Sequence, residues 1–246
     1  MNETIKQLFE RKSVRVFEDK EISPEDKELI LRAATEAPTA GNQQLYTIID
    51  VTSAEKKARL AESCDHQPFI EKAKMVMIFC ADPLKWYKAF CDGGCEPRDI
   101  GLGDLFIAVS DANIAAQNAV VAAHSLGIGS CYIGDIMENR EVQKDILELP
   151  DYVFPAAMLV FGYPTEKQKE REKPHRADLK YIVSENGYPE MDSEYLRAML
   201  KYSMGEENYP VKLKAFCERK YNSDFSREMT RSVSEYVKEY TKDGVE

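Results

Sequence analysis

The chain has 246 residues, 43% of them hydrophobic and 31% charged, with a net charge of −10. That length suits one large domain with a core of its own, and the composition is that of a globular protein. The acidic balance excludes general nucleic-acid binding, which needs a basic face against phosphates. No run of about 18 apolar residues predicts a membrane span, and the N-terminus "MNETIKQLFE" lacks a basic stretch followed by an apolar one, so a cytoplasmic protein is expected.

The first predicted helix is Thr4 to Lys12, with Ile5, Leu8 and Phe9 as its apolar stripe. "SVRVFED" then alternates and reads as extended. "SPEDKELILRAATEAP" has full helix grammar: Ser23 as N-cap, Pro24 at the first position, Asp26 closing a capping box, and Pro38 as the stop. Its expected buried stripe is Leu29, Ile30, Ala33, Ala34 and Ala37. "LYTIIDV" (45–51) and "MVMIFCA" (75–81) read as strands joined through a helix opened by Ser53. The longest helix is predicted from about Gly103 to Leu126, apolar on most faces and therefore buried, with Gly127 just beyond its end. "FPAAMLVFGYP" (154–164) reads as another buried strand. Three helices follow: "DSEYLRAMLKYS", "VKLKAFCERKY", and a third from Ser226 with Met229, Val233 and Val237 at i, i+4 and i+8. Strands and helices without strict βαβ alternation predict an α+β fold. One domain over residues 1–246 is expected, with a core of about 1–190 and a helical extension of about 191–246.

Several chemistries lack a motif. There is no G-x-G-x-x-G after a strand, no phosphate-binding P-loop, no H-E-x-x-H and no G-x-S-x-G. Cys91 and Cys95 are four apart, but no second pair or histidine cluster completes a zinc set, so no metal site is expected. Reduced cysteines suit a cytosolic protein, with Cys80 a buried thiol. The three histidines are scattered, and no catalytic side chain is assigned.

Three polar segments could bind a ligand. Arg11, Ser13 and Arg15 alternate in an extended stretch, which puts two guanidiniums and a hydroxyl on one face, a set suited to phosphate. The same arginine and Lys12 also suit the negative end of the first helix as a solvated surface, and both readings stay open. "APTAGNQQ" (37–44) places Thr39, Asn42, Gln43 and Gln44 around Gly41. It is either a simple turn or a set of donors for a flat heterocycle. "KQKEREKPHR" (167–176) carries Arg171, Lys173 and Arg176, interleaved with glutamates that suit an ordinary surface loop. "GSCYIGD" (129–135) reads as a further Gly-lined polar turn.

Taken in order, "RKSVRVF", "APTAGNQQ", "HQPFIEKAKMVMIFCAD", "AAQNAVVAAHSLGIGSCYIGDI", "FGYP" and "VSENGY" resemble the FMN-dependent nitroreductase family, in its branch of oxygen-insensitive NADPH nitroreductases and flavin reductases. The resemblance covers most of residues 5–190. It implies a mixed β-sheet flanked by helices, built as an FMN-binding homodimer with the flavin at the subunit interface. Arg11, Ser13 and Arg15 match phosphate and ribityl contacts. Thr39, Ala40, Gly41 and Asn42 match the loop beside the isoalloxazine, and Gln67 a glutamine near its polar edge. Tyr132, Ile133, Gly134 and Asp135 match the segment against the ring. Arg171, Lys173 and Arg176 share the match to the remaining phosphate partners, with Lys173 and Arg176 preferred. The family often has Ser or Gly where this chain has Asp135, whose charge disfavours an anionic reduced ring or an acidic substrate.

The implied activity is ping-pong hydride transfer from NAD(P)H, a transient donor, through tightly bound FMN to a nitroaromatic, quinone, flavin or similar small-molecule acceptor. Alternatives are a flavin reductase or reductive dehalogenase on the same scaffold, or a non-catalytic FMN-binding or dimeric interaction protein. Neither nucleic acid nor membrane is an expected partner.

Overall fold

The computed structural model describes residues 1–241, which form two compact units. The first comprises Met1–Arg171 together with residues 228–241, and the second is Glu172–Arg227.

The first unit is built on a four-stranded sheet of β1 (Tyr46–Asp50), β2 (Met75–Ala81), β3 (Gly129–Ile133) and β4 (Phe154–Gly162), in the order β1-β2-β4-β3. All three strand pairs are antiparallel. The expected mixed sheet is thus an antiparallel one, and its parallel component is a single isolated bridge between Ser13 and Ser130. Every residue of β2 and β4 is buried. The two central strands are covered on both faces, which explains why they read as continuous apolar runs rather than alternating ones.

On one face, Met75, Met77, Phe79, Leu159 and Phe161 meet α2 (Pro24–Thr35) and α6 (Leu102–Ser125). On the other, Val76, Ile78, Cys80, Met158 and Val160 pack with Leu60 of α3 (Ala54–Ser63), Ile70 of α4 (Pro68–Lys72) and Ile146 of α7 (Arg140–Leu147). Each fully buried side chain of the size of Phe79 or Ile78 contributes about 1.5–3 kcal/mol.

Helix α6 lies along the first face. Ala108, Ala112, Ala115, Ala116, Ala119 and Ala123 are fully buried, and these small side chains let its backbone come close to the sheet and α2. The helix is nonetheless not buried all round: Phe106, Ile107 and Ile114 are 66%, 46% and 41% exposed. By length and composition alone it could cross a membrane, but its alanine face packs in the core against the sheet and α2. The first helix, α1, covers Glu3–Glu10, two residues shorter than expected at its C-terminus, and Ile5, Leu8 and Phe9 stand exposed. In α2 the cap is as read, with Ser23 Oγ accepting from the Asp26 amide at 3.0 Å. Ile30, Ala34 and the following Ala37 are buried, whereas Leu29 is exposed.

The elements that escaped the sequence reading include α5 (Leu84–Asp92), α7, β3 and the short helix Glu166–Glu170 within the expected basic surface loop. Strand β3 was read as a turn because "GSCYI" is short and opens on glycine. Gly129 is needed there for packing, since a Cβ would sit 2.6 Å from Val14 Cγ2.

Helix α11 (Asp224–Glu239) begins two residues before the expected Ser226 and returns to the first unit, burying Ser232, Tyr236 and Glu239. Tyr236 packs edge-on against Phe154 at 5.0 Å. The Glu239 carboxylate accepts from Arg140, from Lys144 at 2.8 Å and from the Tyr152 amide at 3.0 Å. In the second unit, α9 (Ser193–Met204) and α10 (Tyr209–Lys220) pack together as a helix pair. The short α8 (Glu166–Glu170) precedes this unit.

Candidate functional site

The chain leaves α1 at Arg11, whose amide still bonds the Gln7 carbonyl at 2.9 Å. Three residues later it docks on the sheet edge: the Val14 amide donates to the Ser130 carbonyl at 2.9 Å, and the Val14 side chain fills the space over Gly129. Val14 is turned into the core, and its neighbours Ser13 and Arg15 are less buried, while Arg11 lines a cavity together with Lys12 and Val14. Arg11 is half-buried, and its Nε is a buried donor with no partner. The Arg15 guanidinium lies 5.7 Å from the centre of the Phe69 ring.

The basic segment after β4 is tied to this one. Lys12 Nζ donates to the Lys169 carbonyl at 2.6 Å and to that of Arg171. Arg171 in turn donates from its guanidinium to the Ser13 carbonyl, and the Arg15 amide meets Gln168 Oε1 at 3.4 Å. Lys12 was read as a solvated side chain; it is instead the clamp between the two basic segments. A cavity of about 420 Å³ opens here, lined by Arg11, Lys12, His124, Gly129, Gln168 and Lys169.

Tyr132 on β3 is partly covered. Burial pushes its phenol up to about 12, against the pull of the Arg11 cation, and its hydroxyl meets Gln117 Oε1 at 3.4 Å. Ile133 is 2% exposed and belongs to the core, so only its backbone is available to a ligand. Gly134 and Asp135 open a 3-10 turn, Gly134–Met137. Asp135 accepts from Gln67 Nε2 at 3.1 Å, and Gln67, the residue capping α4, also donates to the Cys64 carbonyl at 2.8 Å. Glu138 follows, 4% exposed; burial and the carboxylates of Asp135, Asp65 and Glu228 push its pKa up to about 7.

The loop of Thr39, Ala40, Gly41 and Asn42 forms a second cluster. Gly41 and Asn42 have φ of 56° and 57°, a left-handed pair that reverses the chain after α2. The loop is fixed by a residue the sequence reading missed. Asp111, 4% exposed on α6, accepts from the Thr39 hydroxyl, from the Ala40 amide at 3.1 Å and from the Leu45 amide at 3.2 Å. An acid in the middle of the alanine-rich stretch of this helix was the available signal, because a buried carboxylate needs donors brought to it. Trp86 Nε1 donates to the Gln43 carbonyl at 2.6 Å. Beside the loop lies a groove of about 380 Å³ lined by Gly41, Trp86, Tyr87, Phe90 and Ile107, among others.

Arg11, Ser13, Arg15 and Arg171 are thus gathered in one region, and Gln67 with Asp135 in a neighbouring pair linked through Phe69 and Arg15. Among the described residues, no hydrogen bond joins Thr39–Asn42 to these. Lys173 and Arg176 fall in the second unit, where Arg176 donates to the Pro174 carbonyl at 3.0 Å.

This arrangement has recognisable relatives. The profile of the nitroreductase family matches residues 8–163. The chain belongs to that family. It is 32% identical over 235 residues to an FMN reductase [NAD(P)H] of Bacillus subtilis, covering 90% of this chain and 93% of that one. It is 31% identical over 197 residues to an oxygen-insensitive NADPH nitroreductase of Salmonella typhimurium, covering 80% of this chain and 79% of the relative. The solved structure of the NfrA1 nitroreductase from B. subtilis superposes with a TM-score of 0.77 at 27% identity, covering 92% of this chain and 98% of the other. As expected, the fold is the α+β fold of this family.

Proposed function

We propose that this protein is a cytoplasmic, homodimeric FMN-dependent oxidoreductase that uses NAD(P)H to reduce small-molecule acceptors such as nitroaromatics, quinones or flavins. The observation that carries the reading is Arg11 Nε: a buried guanidinium donor without a partner, beside Tyr132 and the Lys12–Arg171 clamp. Leaving such a donor unpaired costs about 1–3 kcal/mol or more, which an anionic ligand in the adjoining cavity offsets.

The residues present fit FMN. Arg11, Ser13, Arg15 and Arg171 would hold its phosphate and ribityl chain, with Lys173 and Arg176 as further candidates. Gln67, the Tyr132–Gly134 segment and Asp135 would border the ring. Bound there, FMN supplies two-electron hydride chemistry. The protein's part is to bind, orient and set the local charge. Gln67 offers an amide donor, and its bond to Asp135 fixes which way that amide points. Tyr132 stays protonated through neutral pH and can serve as a donor.

Thr39–Asn42 stand apart from this set within one chain. A second copy would bring the loop to it, across the exposed apolar residues Phe106, Ile107 and Ile114 of α6 and Ile5 of α1. That contact also gives these side chains a reason to be apolar. One domain over residues 1–246, with the second unit as an excursion from it, is the domain organisation this reading carries.

The test is FMN titration of the apoprotein. Arg11→Ala should weaken FMN binding roughly 10–100-fold, the loss of one charge-assisted contact. Unchanged affinity would assign Arg11 to the surface.

A further inference from the structure

Cys91 and Cys95 are both exposed, and Cys91 directly follows Phe90, a residue lining the Trp86–Phe90 groove. Cys91 is in the last turn of α5. Beyond it, Gly94 takes a left-handed φ of 77°. Its amide bonds the Cys91 carbonyl at 3.0 Å, and the Cys95 amide bonds the Phe90 carbonyl at 2.9 Å. This crossed pair of hydrogen bonds is a Schellman cap, and it folds Cys95 back over the end of the helix. The fold-back brings Cys95 toward the helix end that carries Cys91, and a disulfide needs Cβ atoms about 3.5–4.5 Å apart. The remaining approach falls on Gly93 and Gly94, which carry no side chains, and the space a side chain would fill at Gly94 is open. The pair is also wired to the groove. Tyr87 lies one helical turn before Cys91 on α5, and the Phe90 carbonyl holds the Cys95 amide; Tyr87 and Phe90 both line the groove.

We propose that Cys91 and Cys95 form a reversible dithiol–disulfide site, oxidised by a low-molecular-weight disulfide, that alters the shape of the groove beside the Gly41 loop. One cysteine thiolate attacks a sulfur of the small disulfide, forming a mixed disulfide and releasing one small thiolate. The second cysteine thiolate attacks the protein-bound sulfur, closes the Cys91–Cys95 bond and releases the other. Two protein thiols lose two electrons, one small disulfide is reduced to two thiols, and the two protons given up by the cysteines pass to the leaving thiolates. So short and exposed a loop makes a readily reducible bond, the kind that cycles rather than one that holds a fold together.

The experiment uses the full chain with Cys217→Ser, which removes the remaining exposed thiol among the described residues. The protein is incubated with oxidised glutathione and examined by intact mass and peptide mapping, with fluorescence of Trp86, the one tryptophan of the chain, as the groove readout. The expected result is loss of the mass of two hydrogens, a peptide linking Cys91 to Cys95, and a change in Trp86 emission reversed by dithiothreitol. Adding Cys95→Ser should leave one glutathionyl group on Cys91. Stable glutathionyl groups on both cysteines, a disulfide between two chains, or no modification would overturn the proposal. An internal disulfide that leaves Trp86 emission unchanged would overturn its link to the groove.

Discussion

Gln67 and Asp135, 68 positions apart in the chain, meet through Nε2 and Oδ2 at 3.1 Å. The contact joins the start of α4 to the turn after β3, and it leaves a carboxylate where the family often has Ser or Gly. A negative charge at the border of the proposed flavin site opposes negative charge developing on the ring. Asp135→Asn keeps an acceptor for Gln67 and removes the charge. The reduction potential of the bound FMN should rise by roughly 20–40 mV, on the order of 1–2 kcal/mol for two electrons. Anaerobic titration against a dye of known potential measures it, and an unchanged or lowered value would place Asp135 away from the ring.

The docking of the N-terminal segment depends on Gly129, where a Cβ would lie 2.6 Å from Val14. Gly129→Ala should destabilise the protein by about 1–3 kcal/mol through overpacking. Adding Val14→Ala should recover part of that loss, because the two side chains compete for one space. Urea denaturation of the two single variants and the double variant reads the coupling; strictly additive effects would contradict it.

Glu138 gives the molecule a pH dependence of its own. Its folded pKa, pushed up to about 7 by burial and by Asp135, Asp65 and Glu228, lies above the usual carboxylate value. The folded state therefore binds the proton more tightly than the unfolded chain. The associated stability is fully present below the unfolded pKa and is lost as pH rises through about 7. Glu138→Gln holds a neutral side chain at every pH. Relative to it, the natural protein should lose on the order of 1–3 kcal/mol between acidic and neutral pH. Parallel stability curves for the two proteins would show that Glu138 titrates normally.

Much of this was legible in the chain. The Ser23 cap, the continuous apolar runs of β2 and β4, and the alanine face of α6 follow from local rules, and the order of the polar segments pointed to the family. What was missed depends on tertiary contacts. β3 is too short and too rich in small residues to announce itself, and it exists because β4 and the Val14 segment flank it. Val233 and Val237 of the expected α11 stripe do pack against the core, but beside them the helix buries Ser232, Tyr236 and Glu239, because Arg140 and Lys144 supply partners that only folding brings near. Lys12 and Asp111 are likewise unremarkable in sequence, since the carbonyls and amides they bind come from distant segments.

The central claim is that this chain holds FMN and passes electrons through it. The direct measurement is anaerobic absorbance of the FMN-reconstituted, full-length protein on adding NADPH, with NADH in parallel. The account predicts a yellow protein carrying one FMN per protomer, bleached by a nicotinamide donor and recoloured by a quinone or nitroaromatic acceptor. A protein that takes up no FMN, or one whose bound FMN neither donor bleaches, would contradict it.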